Sequence, residues 1–272
     1  MSAPTQVLFD EPGPKSRRNN IILSIVSLIV LLALVAFVIW KFADAGQLEP
    51  DKWYPFTFAQ IQVVLLQGML ATLKVAVVAS VLAMAVGVVF ALLRLSSKKI
   101  VSVPGTIVLE FFRGVPVLLL IFAMFLLFGN EIGSFWSVVF GLTLYNGMVL
   151  AEIIRAGILA VPTGQREAAM AIGLRPGQVM SLVLMPQALR AMMPTIIAQI
   201  VVLLKDSALG FIVTYQDLLY QVNLIGREYN NLLPTFIVGA ALSVQMSPSP
   251  ASASTARFCR ESTHRKTGQS PE

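Results

Sequence analysis

Residues 164–186 read GQREAAMAIGLRPGQVMSLVLMP, a polar stretch interrupted by Gly and Pro between strongly apolar segments. Thr163 is expected to cap a short helix whose first turn carries Glu167, where the helix dipole favours an acidic side chain. Gly173 suits the left-handed position that ends a helix, and Pro176 suits the first turn of the next one. The stretch therefore predicts a helix, a sharp turn and a second helix, all outside a membrane.

The first predicted helix has little side-chain bulk. Ala168, Ala169 and Ala171 lie on it and Gly173 ends it, so the backbone of another protein can approach it closely. A small, rigid surface of this kind favours docking of a partner over catalysis.

Several spaced motifs agree in order with one family. Glu167-Ala168-Ala169 is followed by Gly173 and then by Leu184-Met185-Pro186, which resembles the EAA loop of ABC importer permeases. Further stretches resemble the polar amino-acid branch of that family: EFFRGVP at 110–116, AEIIRAGI at 151–158, PQALR at 186–190 and KDS at 205–207. The resemblance covers roughly residues 60–240.

The resemblance implies an all-α, polytopic membrane protein with the ABC type I importer permease fold and about six transmembrane helices. It also implies a cytoplasmic coupling loop at 162–190 that docks into an ATPase subunit. Closure of two ATPase subunits would switch the spans between outward-open and inward-open states. The residues assigned to this coupling are Gly164, Glu167, Ala168, Ala169, Gly173 and Pro186.

The implied partners are ABC ATPase subunits, a second permease subunit that is identical or homologous, an extracytoplasmic amino-acid-binding protein and membrane lipid. ATP is bound by the ATPase, so this chain is expected to be no enzyme and to carry no cofactor. Residues 7–14 and the extra first span resemble the glutamate-uptake permeases of this branch. Glutamate is therefore a candidate substrate, although the sequence supplies no rule for choosing the amino acid.

The composition independently indicates a membrane protein. Apolar residues make up 56% of the chain and charged residues 12%, whereas about a quarter of a soluble domain is charged. The net charge of +6 does not indicate nucleic-acid binding, because the basic residues flank apolar runs. Cys259 and His264 are the single Cys and His, and no GxxxxGKS/T motif is present, so we expect no disulfide, metal, catalytic or ATP site.

Apolar runs predict six transmembrane helices, since about 20 apolar residues cross a membrane. These are 21–40, 75–93, 103–128, 132–151, 194–213 and 232–246. The predicted domains are a disordered cytoplasmic start (1–20), an extra first helix (21–40), a permease domain (60–246) and a disordered tail (247–272).

Residues 21–40 admit two interpretations. Ala43-Asp44-Ala45 resembles a cleavage site, but the apolar core of a signal peptide is usually about 7–15 residues long. An uncleaved membrane anchor is therefore favoured.

The basic residues predict the orientation in the cell membrane. With residue 1 in the cytoplasm, the outside segments hold Lys41, Lys52 and Arg227. The basic clusters at the N-terminus, after the second span, around the polar loop and in the tail all fall inside. This orientation puts the coupling loop in the cytoplasm, where an ATPase is available.

The C-terminal end departs from the family, in which the last span continues into a short basic helix. Here a short apolar run precedes a Ser-, Pro- and Thr-rich segment at 247–272, which predicts disorder. One hypothesis is a changed reading frame or truncation after about Leu242; another is a short but real span with a natural tail. Resequencing the gene distinguishes them.

Charged residues inside a predicted span are costly and are expected to face the bundle interior, a partner or a water-filled path. Lys205, Asp206 and Ser207 lie well inside the fifth predicted span. They either line the translocation path or a gate, or serve a structural role, as an ion pair or with Lys205 extending to the outer interface.

Two further pairs are assigned to the substrate path, Glu110 with Arg113 and Glu152 with Arg155. The members of each pair are three residues apart, so they share a helix face. Salt bridges near the cytoplasmic ends of the spans explain both pairs more simply.

Two other classes of function remain open. An autonomous secondary transporter or channel for small polar solutes predicts activity in liposomes that contain this chain alone, whereas an ABC permease requires its ATPase. An integral-membrane enzyme is disfavoured, because no His, Cys or carboxylate cluster has catalytic spacing.

Overall fold

The computed structural model describes residues 14–96 and 98–246. The chain divides into two compact units, residues 1–54 and 55–272. The predictions for residues 1–13 and for the tail, including Cys259 and His264, lie outside the described residues.

The first unit contains α1 (Pro14–Asp44) and a 3-10 helix at Pro50–Lys52. α1 includes the apolar run 21–40 and begins before it, because flanking residues extend an established helix at little cost. Its stretch Arg18–Asp44 is long and apolar enough to cross a membrane.

The described part of the second unit consists of helices and short connections and contains no strand. Its helices are α2 (Ala59–Leu95), α3 (Lys99–Gly114), α4 (Val117–Leu159), α5 (Thr163–Ala171), α6 (Pro176–Gln178), α7 (Met185–Asp206), α8 (Leu218–Glu228) and α9 (Leu232–Met246). A π-helix at Val179–Leu184 joins α6 to α7, and 3-10 helices lie at Tyr54–Thr57 and Ser207–Val213.

α4 reverses direction at Gly133, whose backbone is not helical (φ 75°, ψ 170°). A Cβ built on Gly141 would lie 2.6 Å from the Cα of Ile121, whereas residues this far apart on a straight helix are about 30 Å apart. The parts 117–132 and 134–159 therefore pack side by side. Gly133 permits the turn because it has no Cβ to clash at positive φ.

The membrane helices agree with the expected architecture once α4 is divided. Four described helices are long and apolar enough to span a membrane, namely Arg18–Asp44, Ala59–Leu95, Val117–Leu159 and Pro176–Val213, and Leu232–Met246 is a shorter apolar helix. The two parts of α4 bring the apolar helical segments to the six that the sequence predicts.

The predicted third span, 103–128, is wrong as a single helix. α3 ends at Gly114, and Val115 is extended (φ −85°, ψ 128°) before α4 begins at Val117. The reason is Pro116, because a proline disfavours the α conformation of the residue before it. The third apolar segment therefore begins at Val117.

Three apolar clusters stabilise the described part of the second unit. One joins α2, α4 and α7, a second joins the ends of α2 and α4 to α3, α5, the π-helix and α7, and a third joins the start of α2 to α8. α2 and α4 pack closely at Gly87, since a Cβ there would lie 2.9 Å from Leu150 Cβ. The second cluster fixes the polar loop to the helical bundle.

Candidate functional site

The coupling loop is helical but starts differently from the prediction. Thr163 is the first residue of α5 and Pro162 occupies the capping position, so the predicted Thr163 cap is wrong. Pro162 is extended at ψ 134° and leads the chain into the helix. Consequently the first turn contains no acidic residue, and Glu167 lies one turn further on.

The end of α5 follows the predicted turn chemistry. Gly173 has φ +87°, and its N–H donates to Met170 O at 3.0 Å while Leu174 N–H donates to Ala169 O at 3.2 Å. Pro176 then begins α6. A left-handed glycine at this position reverses the chain sharply, as expected.

The loop separates a buried side from an exposed side. Ala169 is only 5% exposed and packs with Val179 and Ala188 of the second apolar cluster. The other assigned coupling residues are exposed, namely Gly164, Glu167, Ala168, Gly173 and Pro186. Ala169 therefore anchors α5, and Ala168 faces outward.

Exposed apolar side chains surround these small residues. Met170, Ile172 and Leu182 are all exposed, Ile172 most of all. A Cβ built on Gly164 or Gly173 meets no atom within 4 Å. We call these seven residues the loop surface: Gly164, Glu167, Ala168, Met170, Ile172, Gly173 and Leu182. It combines open space with apolar contact area, which suits a protein partner.

α5 is also tied to α7 by a polar contact. The side-chain amide of Gln187 donates to Gln165 Oε1 at 3.3 Å. A π-helix, a form that often occurs at functional sites, separates α6 from α7. The Gln187–Gln165 hydrogen bond therefore links α5 to the start of α7.

Glu152 lies at the centre of a cluster of three arginines. It accepts hydrogen bonds from Arg94 of α2 and from Arg155, the latter at 3.0 Å, and Arg113 of α3 lies 3.9 Å away. Glu110 is exposed and forms no ion pair with Arg113 in the part of the chain that is described. The predicted Glu152–Arg155 contact exists, but Arg113 approaches Glu152 instead of Glu110.

The second predicted set, Lys205 to Ser207, lies at the C-terminal end of α7, away from the coupling loop. Because the helix begins at Met185 and not at Pro194, Lys205 lies about 30 Å from its start. Lys205 is exposed, whereas Ser207 is buried and donates to Leu204 O at 2.7 Å. Lys205 therefore lies near the C-terminal end of α7, and a 3-10 helix at Ser207–Val213 continues the chain beyond it.

A cavity of about 250 Å³ lies next to Lys205. α2, α7, α8 and α9 line it, and its polar side chains are Thr72, Lys205 and Ser243. Asp206 is half-buried outside this lining. The two sets of predicted path residues thus occupy opposite ends of the bundle and do not form one site.

Sequence reasoning missed two buried polar groups. Gln199 donates a side-chain hydrogen bond to Asn146, and Asp217 is fully buried with one carboxylate oxygen accepting from Tyr220 N–H at 2.7 Å. Asp217 lies between the span 176–213 and α8, and burial raises its pKa to about 7. Polar residues within apolar runs were the available signal for Asn146 and Gln199.

No group of three or more His, Cys, Asp or Glu side chains that could hold a metal ion occurs within residues 14–96 and 98–246. The described geometry instead combines membrane-length helices, an exposed loop surface and an apolar cavity. This arrangement defines a helical membrane protein with an exposed loop surface at one end of its bundle.

Comparison with known proteins gives the family. Residues 83–247 match the family described as "Binding-protein-dependent transport system inner membrane component". The match covers more than half of the chain, which therefore belongs to this family of ABC importer permease subunits. The chain is accordingly embedded in a membrane.

Relatives support this membership over most of the chain. The chain is 39% identical over 209 residues to the glutamate transport system permease protein GluD of Corynebacterium glutamicum, covering 73% of this chain and 76% of that one. It is 33% identical to the arginine transport system permease protein ArtQ of Bacillus subtilis, covering 64% of this chain and 82% of that one.

A solved structure agrees with the fold. The structure described as "Crystal structure of an amino acid ABC transporter with histidines" superposes with a TM-score of 0.65 at 29% identity, covering 71% of this chain and 91% of that one. Permeases of this kind work with ATPase and substrate-binding partners.

Proposed function

We propose that this chain is the permease subunit of an ATP-driven importer for polar amino acids and that its loop surface couples it to a cytoplasmic ATPase. The observation that carries the proposal is the division of α5: Ala169 is buried in the bundle while Ala168 and Ile172 are exposed. A partner that pulls on the exposed side moves the buried side with it.

The coupling path runs from α5 into the spans. Ala169 packs in one cluster with Leu184 of the π-helix and with Met148 and Ile154 of α4. Because packed interiors are close to incompressible, a displacement of α5 is passed to α4 and α7. Closure of the ATPase would thereby drive the change between outward-open and inward-open states.

The proposed substrate class comes from the relatives. GluD and ArtQ are named for the transport of glutamate and arginine. The side chains of these two amino acids carry opposite charges. Both are polar amino acids, which is the substrate class that we propose. Glutamate is the specific candidate because GluD is 39% identical to this chain. Lys205 beside the cavity supplies a positive charge suited to a carboxylate.

The proposal assigns ATP hydrolysis to the partner and half of the pore to this chain. A second permease subunit, identical or homologous, supplies the other half, and an extracytoplasmic binding protein delivers the amino acid. The N-terminus and the coupling loop lie in the cytoplasm in this arrangement.

The test is assembly with a candidate ABC ATPase subunit. The purified wild-type chain is expected to retain the ATPase. The amount of ATPase that copurifies with the Ala168→Arg variant is expected to be at least about tenfold lower. Ala59→Arg, at the exposed start of α2, is the matched control and retains it. Transport by this chain alone in liposomes, driven by an ion gradient, would contradict the proposal.

A further inference from the structure

α3 carries an exposed apolar face. With 3.6 residues per turn, Ile100, Val103, Ile107 and Phe111 fall on one side of the helix. Ile100 is 84% exposed, and Ile107 and Phe111 are each 63% exposed. Four large apolar side chains in a row require an apolar environment that the described part of the chain does not supply.

The opposite side of α3 is fixed to the bundle. Leu109 is fully buried, and a Cβ built on Gly105 would lie 3.3 Å from Leu93 Cβ of α2. Arg94 Nε donates to Thr106 Oγ1 at 3.2 Å. α3 therefore lies against the end of α2 with its apolar face directed away from the protein.

Positive charge collects around this helix. Arg94, Arg113 and Arg155 surround the single carboxylate of Glu152, and Arg155 Nε is buried without a hydrogen-bond partner. Lys98 and Lys99 are exposed at the start of α3, and Glu110 is an exposed acidic side chain of the same helix. Five basic groups and two acidic groups leave an excess of positive charge with unused N–H donors.

The cluster lies on the same side of the bundle as the coupling loop. Because Arg94 at the end of α2 bonds to Glu152, the C-terminal ends of α2 and α4 are neighbours. α5 follows α4 after three residues, Ala160 to Pro162. α3 therefore faces the cytoplasm if the loop does, and the inference below rests on that part of the proposed function.

We propose that α3 is an interfacial helix of the cytoplasmic leaflet and that, together with the three arginines, it binds an anionic phospholipid. The ridge of Ile100, Val103, Ile107 and Phe111 enters the boundary between headgroups and acyl chains, where amphipathic helices with basic flanks bind. The lipid phosphate accepts hydrogen bonds from Arg113 and from the donors that Glu152 leaves free. Charge complementarity selects an anionic lipid over a zwitterionic one.

The first experiment measures lipid preference directly. The full-length chain is purified in detergent, and bound phosphatidylglycerol is compared with phosphatidylcholine by native mass spectrometry. Arg113→Gln is expected to lower the preference for phosphatidylglycerol roughly fivefold, the effect of one basic residue at an anionic surface. The substituted side chain is 45% exposed and lies 3.9 Å from Glu152, beyond hydrogen-bond distance.

The control is Arg227→Gln, an exposed arginine in α8 outside this cluster, which is expected to leave the preference unchanged. An unchanged preference in Arg113→Gln, or an equal loss in both variants, overturns the inference.

The second experiment locates the apolar face. A spin label is attached to Ile107→Cys in a Cys259→Ser background, in nanodiscs of phosphatidylcholine and phosphatidylglycerol. The label is expected to collide with oxygen in preference to a water-soluble nickel reagent, whereas a label at Ala168→Cys shows the reverse. A water-exposed label at position 107, or one shielded from both reagents by a second permease subunit, contradicts the inference.

Failure of this inference is distinguishable from failure of the proposed function. If Ala168→Arg retains the ATPase while Arg113→Gln loses its lipid preference, the docking proposal fails and the lipid site stands. If Ala168→Arg loses the ATPase while Arg113→Gln keeps its lipid preference, the lipid site is refuted and the docking proposal stands.

Discussion

The side-chain amide of Gln199 in α7 donates a hydrogen bond of 2.8 Å to the side-chain oxygen of Asn146 in α4. Asn146 is fully buried and donates in turn to Leu142 O at 3.1 Å. This contact crosses the interface between the two helices that flank the coupling loop. It gives that interface a polar connection in otherwise apolar surroundings.

Removing either amide is expected to weaken this interface. Asn146→Leu or Gln199→Leu leaves the remaining amide without its partner, and interhelical hydrogen bonds in membranes contribute about 0.6 to 1.7 kcal/mol. The double variant is expected to lose less free energy of unfolding than the sum of the single variants. Unfolding of the four proteins in detergent measures this coupling, and strictly additive losses would contradict it.

Glu152 is expected to contribute more to the stability of the fold than Glu110, although both were assigned to the substrate path. Glu152→Gln leaves three neighbouring guanidinium groups uncompensated, and a loss of about 1–3 kcal/mol is expected because the carboxylate is 30% exposed. Glu110→Gln is the matched control and should change stability by less than about 0.5 kcal/mol. Thermal unfolding of the two variants compares them, and equal losses would refute the central position of Glu152.

Gly173 and Gly177 isolate the effect of backbone conformation. A Cβ meets nothing within 4 Å at either position, but Gly173 has φ +87°. Gly173→Ala should therefore destabilise the turn by about 1–2 kcal/mol, while Gly177→Ala in α6 should be neutral or stabilising. Hydrogen exchange of the amides at 163–178 provides the measurement. Equal exchange rates in the two variants would count against the left-handed turn.

The buried carboxyl group of Asp217 is expected to make the stability of the fold depend on pH. Burial raises its pKa to about 7, against about 3.9 in an unfolded chain, so the folded state binds more protons between these values. The free energy of unfolding therefore falls as pH rises from about 4 to about 7, by up to a few kcal/mol. Asp217→Asn should flatten this dependence, as measured by unfolding at pH 5 and pH 8. An unchanged slope in that variant would assign the effect to another group.

The helical membrane class, the exposed loop and the break at Gly173 were all predictable from sequence. Their causes are local, because apolar runs, turn glycines and helix-starting prolines act over a few residues. The break before Val117 was predictable in the same way, since Pro116 marks it. It was missed because residues 103–128 were treated as one continuous apolar run.

Other features depend on packing and were not predictable. Asp217 is buried by neighbours distant in sequence, and Arg113 meets Glu152 only because α3 lies across the ends of α2 and α4. The position of Lys205 near the end of α7 was not predictable because the helix begins at Met185, within residues whose polarity suggested a loop.

The most direct test of the account is the accessibility of position 168. In an Ala168→Cys, Cys259→Ser chain, a membrane-impermeant thiol reagent is expected to label residue 168 from the cytoplasmic side only. Addition of the partner ATPase is expected to protect the same residue from the reagent. Labelling from the outer side, or labelling that the ATPase leaves unchanged, would contradict the claim that this loop docks the subunit that drives transport.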